Sequence, residues 1–376
     1  MTWAGPWHVS ERGTFVEFDA VIRWATHILL LGALVLLGAC ARPELTGFSE
    51  PHPDATVERI FMATQRTPGQ QGQIFGERRS TRLNFAQVDV SIPPTHVPGK
   101  VERTSGVADA AQYFAPLGIE MFSGIKDFTG ALRREGGADG GILLYVHGYN
   151  NTTEDSTFRL AQIKHDFGID GPAVLFSWPS AGDPRGYVYD RDSVLFARDG
   201  FEEFLRELRG LGHSRILILA HSMGGYLTME ALRQIALKGD RHVMDAIEGV
   251  VLMSPDIDPD VFRRQARVIG ELPQPFIVMT SRKDRVLNIA EFLTGRKPRL
   301  GRIESSEEVR GLGVTVVDFT DLDDGGISGH SAAVSSARAI EVFSGLEQQI
   351  REDGGALRDF VLQGRDRRID AALVLQ

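Results

Sequence analysis

The run Ile216-Leu-Ile-Leu-Ala220-His221-Ser222-Met223-Gly224-Gly225 carries an apolar stretch into a serine flanked by small residues, and a helix-compatible segment follows over Tyr226–Ala236. A serine hydroxyl of ordinary pKa attacks an acyl carbon only when it is accessible, beside a base and near N–H groups that stabilise an anion. A sharp strand-to-helix turn meets the first and last of these needs. It lifts Oγ above the sheet and sets the Met223 N–H at the positive end of a helix dipole. Gly224 allows close packing of that helix, and Ala220 stands where the pattern Gly-x-Ser-x-Gly has its first glycine. Simple capping of the helix by Ser222 is the competing explanation, since serine is a preferred N-cap.

Capping does not account for the other pieces. Leu143-Leu-Tyr-Val146-His147-Gly148-Tyr149-Asn150-Asn151 is a second apolar run ending in a glycine-containing loop. An oxyanion needs a second backbone donor close by, so the Tyr149 N–H beside Gly148 is the expected partner of the Met223 N–H. His147, placed directly after a strand, is read as ordering this loop. His330, in Gly326-Ile-Ser-Gly329-His330-Ser331, follows the last expected strand, which suits the chain order nucleophile, acid, histidine. It is the expected general base. The acid that fixes its tautomer is expected at Asp284, after the run Phe276–Thr280, with Asp256 and Asp258 after the preceding run as alternatives.

These loops need a scaffold that brings them together. Apolar runs at Ile142–Val146, Ala173–Ser177, Ile216–Ala220, Gly249–Met253, Phe276–Thr280 and Val314–Asp318 alternate with helix-like segments such as Arg198–Leu211. Such runs, without strict polar alternation, fit strands buried on both faces of a parallel sheet. With Val57–Thr64 and Leu83–Ile92 the expected total is about eight strands, in an α/β fold with helices on both faces. Ligands should gather at the carboxyl ends of the strands. Trp178, Tyr187 and Tyr189 are candidates for a pocket wall there, with core or surface packing as the competing role. Thr294–Gly311 reads equally as a lid or a surface insertion.

From about Val57 to Glu347 the chain resembles the α/β-hydrolase superfamily, and within it a bacterial family of uncharacterised esterase- and lipase-like proteins. The features are Phe61-Met-Ala-Thr64-Gln-Arg66, Val90-Ser-Ile-Pro93 with His96 and Gly99, His147–Asn151, Phe176-Ser-Trp178-Pro179-Ser180 and Ala220–Gly225. The resemblance implies the fold and the triad positions strongly and the substrate weakly.

A net charge of -9 leaves no electrostatic footprint for a polyanion, so nucleic acid is not an expected partner. No metal or organic cofactor is expected, since the sequence carries neither a clustered ligand set nor a Gly-x-Gly-x-x-Gly fingerprint. The single cysteine, Cys40, ends the apolar segment Ile28–Leu37 and the tetrad Leu37-Gly-Ala-Cys40. That order resembles a secretory signal closing in a bacterial lipobox, whose cysteine is lipidated and becomes the mature N-terminus. The apolar segment is about half the roughly 20 residues of a membrane-crossing helix. Residues 1–40 are therefore read as a signal peptide, 41–56 as a tether, 57–350 as the hydrolase domain and 351–376 as a C-terminal tail. Glu11, Glu17 and Asp19 do not suit a basic signal start, which makes initiation at Val16 or Val21 the simpler gene reading. The expectation is a lipid-anchored protein of the bacterial envelope, on the outer-membrane or periplasmic face, acting on a small ester or lipid. A non-catalytic binding module on the same fold is the rival, and amidase, thioesterase or acyltransferase chemistry would use the same triad.

Overall fold

The computed structural model describes residues 1, 47–69, 73–136, 141–321, 330 and 335–336, with 368–370 described for the backbone alone. The fold below is that of the unit spanning residues 45–376. The signal-like segment and Cys40 lie outside the described residues.

A ten-stranded sheet runs in the order β10-β9-β8-β7-β6-β4-β5-β1-β2-β3. The strands are β1 (Thr56–Pro68), β2 (Phe75–Ile92), β3 (Ala115–Phe122), β4 (Ile142–Val146), β5 (Ala173–Ser177), β6 (Ile216–His221), β7 (Ile247–Met253), β8 (Phe276–Thr280), β9 (Thr315–Asp318) and β10 (Arg368–Asp370). Between them lie α1 (Ile125–Gly136), α2 (Thr153–Asp166), α3 (Tyr187–Gly210), α4 (Met223–Leu237), α5 (Arg241–Met244), α6 (Pro259–Ile269) and α7 (Arg285–Leu293). From β1 through β10 the strands are parallel, and only β2 runs against its neighbours.

All eight expected strands form, because a strand covered on both faces is continuously apolar. Ile142, Leu144 and Val146 of β4 enter one core layer while Leu143 and Tyr145 enter the other. The first layer packs under α1, α3, α4 and α6, where Phe128, Phe201, Leu227 and Phe262 are buried. The second packs under α2 through Phe158, Leu160 and Ile163. The α2 helix is closed at its start by a capping box between Thr152 and Asp155.

Four boundaries differ from the sequence reading. β3 was not expected, since Pro116 and Gly118 break its pattern and Glu120 and Met121 near its end are exposed, as an edge strand allows. The helix expected at Arg198–Leu211 begins at Tyr187. The tether is already docked at Ser49, whose N–H donates to Pro116 O (2.9 Å) and whose Oγ donates to Ala108 O (2.7 Å). Arg368–Asp370, from the stretch read as a tail, pairs with Val316–Asp318.

Thr294–Gly311 is packed into the domain. Leu300, Ile303 and Val309 are buried, and Ser281 N–H donates to Gly301 O (2.9 Å). Of the two readings, the insertion fits these contacts.

Away from the carboxyl ends of the strands, His96 sits between two carboxylates, with Nδ1 2.9 Å from Glu102 and Nε2 2.9 Å from Asp166. Asp166 also accepts the Gly99 N–H (2.7 Å), so the ring ties the loop after β2 to the end of α2. Burial opposes charge on the ring, but hydrogen bonds to Asp166 and Glu102 outweigh it and raise its pKa. A raised folded pKa contributes stability that is complete below the unfolded value and is lost as pH rises through the folded one. The thermal-stability deficit of His96→Gln should therefore be largest below the ordinary histidine pKa of 6.5 and shrink as the pH rises into the alkaline range. Melting curves of both proteins across that span check it; an equal deficit at every pH would mean the charge contributes nothing.

Candidate functional site

The register of the parallel strands decides which loops meet. Val146 pairs with Phe176 and Ala220, His221 with Met253, Met253 with Met279, and Thr280 with Asp318. The strands thus end level, and the loops bearing His147, Ser222, Asp256 and Asp284 leave the same edge of the sheet.

Ser222 joins β6 to α4 at φ 53°, ψ −120°, a conformation strained for any residue but glycine. It makes no side-chain capping bond to the helix, so the capping explanation fails. Its backbone is fixed instead by Ser222 N–H to Met253 O (2.9 Å) and by Ser222 O accepting from Gly225 (3.0 Å) and Asp256 (3.2 Å). Met223 opens α4, which puts its N–H in the first helical turn. A Cβ on Gly224 would stand 2.4 Å from the Val146 and His147 carbonyl oxygens, so glycine there is a packing requirement.

His330 and Asp284 meet: Nδ1 lies 2.7 Å from Asp284 Oδ2, and both residues are buried. The carboxylate can only accept, so Nδ1 carries the proton and Nε2 is left with the lone pair when the ring is neutral. The second oxygen of Asp284 accepts the Leu287 N–H (2.9 Å) at the start of α7, which fixes the carboxylate plane. The alternative acids are engaged elsewhere. Asp256 accepts from Tyr187 Oη (2.9 Å) and faces buried Arg299 at 3.1 Å. Asp258 caps α6 through the Asp260 and Val261 N–H groups.

His221 has a role the sequence did not suggest. Burial, reinforced by neighbouring His330, holds its pKa well below the ordinary histidine value, so it is neutral. Its Nε2–H faces the His330 carbonyl oxygen at 3.2 Å and the two rings lie 4.6 Å apart, which anchors the His330 backbone. His147 orders its loop, as expected. It stacks on Trp178 at 4.8 Å, faces Trp178 O (3.0 Å) and Gly148 O (2.9 Å), and has its pKa pushed down to about 3 by burial.

Gly148 brings its loop onto the nucleophile turn. A Cβ there would lie 2.9 Å from Ser222 Cβ and 2.7 Å from His221 Nδ1. Tyr149 follows immediately, and its ring meets Tyr187 edge-on at 5.4 Å. Of the three wall candidates, Tyr187 is itself buried and meets this loop through Tyr149. Trp178 is fully buried beneath it and donates Nε1–H to His147 O (2.7 Å), so it is core rather than wall. Tyr189 turns to the β1–β2 hairpin, with the Arg79 guanidinium 4.4 Å over its ring. Among the described residues no cluster of His, Cys, Asp or Glu could hold a metal ion, and no helix is long and apolar enough to cross a membrane.

A parallel sheet wrapped by helices, with a strained serine turn at its carboxyl edge, defines an α/β hydrolase. A family model described as "Alpha/beta hydrolase of unknown function (DUF900)" matches residues 126–348, and the chain belongs to that family. No curated protein matches it in sequence. Among solved structures it is similar to the esterase PE8, at 16% identity over 57% of this chain and 95% of that one with a TM-score of 0.38. It is also similar to a hyperthermophilic esterase from the archaeon Pyrobaculum calidifontis, at 15% identity over 80% and 86% with a TM-score of 0.31. An esterase/lipase from an uncultured bacterium is 13% identical over 81% and 87%, with a TM-score of 0.37. Likeness at this level says nothing about what this chain acts on.

Proposed function

We propose that the protein is a serine hydrolase of the carboxylesterase or lipase type, working through an acyl-enzyme. The observation that carries this reading is the buried His330–Asp284 pair at 2.7 Å, with the His330 ring 4.6 Å from that of His221, the residue before a serine held in a strained turn that does not cap its helix. Ser222 Oγ attacks the ester carbonyl as His330 Nε2 takes its proton, and the Met223 and Tyr149 N–H groups stabilise the oxyanion. His330 then gives the proton to the leaving alkoxide. Water repeats the sequence on the acyl-enzyme and releases the acid. Asp284 holds the tautomer and stabilises the imidazolium. An amide, a thioester or a second alcohol as acceptor would use the same residues.

Fluorophosphonate labelling tests the reading. A hydrolase should be labelled at Ser222 and lose the label in Ser222→Ala; absence of labelling in folded wild-type protein would favour a binding module on the same fold.

The lipobox-like tetrad supports a further part of the proposal: Cys40 carries the lipid that holds the enzyme at the bacterial envelope. Three acyl chains give stable anchoring where one binds marginally. Mass spectrometry of the mature protein should find an acylated Cys40 at its N-terminus, and Cys40→Ala should accumulate as the precursor. An unmodified Cys40 inside a longer chain would remove the anchor.

A further inference from the structure

Arg66, Ser180 and Asp190 are all fully buried although none takes part in the proposed chemistry. Burial lowers the Arg66 pKa only to about 10, so the guanidinium keeps its charge at neutral pH. Leaving a charge inside the protein costs several kcal/mol unless its hydrogen bonds are well satisfied. These bonds go to two neighbouring segments, the loop after β4 and the residues from Ser177 onward at the end of β5. Arg66 Nη2 donates to Asn151 O (2.8 Å), Nη1 to Ser180 O (2.9 Å) and Nε to Ser177 Oγ (3.0 Å). Asp190 accepts the Asn150 N–H (3.0 Å) and the Ser180 hydroxyl (2.6 Å) on one oxygen, and the Ala181 N–H (2.7 Å) on the other. Ser180 Oγ in turn accepts the Asn151 N–H (3.1 Å). The cation and the carboxylate therefore grip the loop after β4 from two sides, with Ser180 between them.

That grip sets the direction of the peptide before it. Asn151 Nδ2 donates to Tyr149 O (2.8 Å) and reaches Gly148 O (3.3 Å), an oxygen that lies 2.9 Å from His147 Nδ1. In a trans peptide the C=O and the following N–H point in opposite directions. With the Gly148 carbonyl turned toward Asn151 and His147, the Tyr149 N–H is turned the other way.

We propose that the buried Arg66–Ser180–Asp190 network, acting through Asn151, is the positioning device that keeps the Tyr149 N–H aimed at the oxyanion formed on Ser222. This rests on the esterase reading. Arg66, Ser180, Asp190 and Asn151 are positioning residues, since none touches the reacting atoms. The network gives a physical role to the Thr64-Gln-Arg66, Phe176–Ser180 and Asn150-Asn151 segments together.

The test uses the hydrolysis of p-nitrophenyl acetate and inhibition by phenylboronic acid, which adds to the serine oxygen to give a tetrahedral anion like the reaction intermediate. Asp190→Asn keeps the shape but offers one carbonyl oxygen to three donors. Arg66→Lys keeps the charge but loses the fork. Asn151→Ala, at a half-buried position, removes only the carbonyl tether. Removal of one oxyanion donor costs roughly 10²- to 10³-fold in kcat. We expect Asp190→Asn and Arg66→Lys to lose about 10²-fold in kcat and Asn151→Ala at least about tenfold, with KM within about twofold and boronate affinity falling in parallel. A merely structural network would lower Tm and leave kcat per folded molecule and boronate affinity unchanged. If the buried-charge variants do not fold, Asn151→Ala decides. Wild-type kcat and boronate affinity in folded Asn151→Ala overturn the proposal and leave the esterase reading standing. No Ser222-dependent hydrolysis and no boronate binding in the wild type overturn that reading and this one with it.

Discussion

Ser222→Ala and His330→Ala are each expected to lower turnover of a short-chain aryl ester by on the order of 10⁴-fold or more, and the double variant by little beyond either. A nucleophile without its base, or a base without its nucleophile, leaves only binding and the oxyanion donors, so the two losses should not add. Fold loss is a poor explanation for the serine variant. Alanine suffers the same strain as serine at φ 53°, and Ser222 makes no side-chain cap that alanine would forfeit. Glycine offers a sharper control. At a backbone position this strained, of order 1–3 kcal/mol, Ser222→Gly should gain about 1 kcal/mol of stability after its own entropic cost while losing turnover as fully as Ser222→Ala. A rise in Tm together with loss of activity separates a catalytic serine from a structural one. Wild-type turnover by Ser222→Ala, in protein free of contaminating esterase, would end the proposed mechanism.

The parts legible in the sequence were those whose physics is local. Ile142–Val146 and Phe276–Thr280 read as strands because burial on both faces leaves no polar alternation. Ser222 was legible because an elbow needs small neighbours, and Gly224 meets that need within 2.4 Å of the β4 carbonyls. β3 was hidden by Pro116 and Gly118, which an edge strand tolerates. The buried charges were hidden for a different reason. Arg66, Asp190, Arg299 and Asp256 have the residue types of a solvated surface. Only the tertiary fold supplies Arg66 with carbonyl oxygens of Ser180 and Asn151, and Asp256 with Arg299 and Tyr187. His221 was visible as a motif residue but not as an anchor for a histidine 109 positions later.

The choice among the three acids is of that non-local kind, because Asp256, Asp258 and Asp284 follow neighbouring parallel strands that end level. The geometry separates them, and so should their variants. Asp284→Asn is expected to lower turnover by up to roughly 10⁴-fold, since an amide facing Nδ1 can favour the tautomer that places the proton on Nε2, where it cannot accept from Ser222. Stability should hold: asparagine caps a helix about as well as aspartate, so the bond to Leu287 N–H survives. Asp256→Asn should do the opposite. It strips the partner from Arg299, a residue only 3% exposed, and breaking one side of a buried ion pair typically costs about 3–5 kcal/mol. Its backbone bond to Ser222 O is untouched by the substitution, so molecules that remain folded should turn over substrate nearly normally. Asp258→Ala removes a cap and should cost about 1 kcal/mol, with turnover again retained. Thermal unfolding and turnover measured on the same samples distinguish the three. Loss of turnover in folded Asp256→Asn, together with an active Asp284→Asn, would move the acid to the loop after β7 and leave the 2.7 Å contact with His330 without a catalytic role.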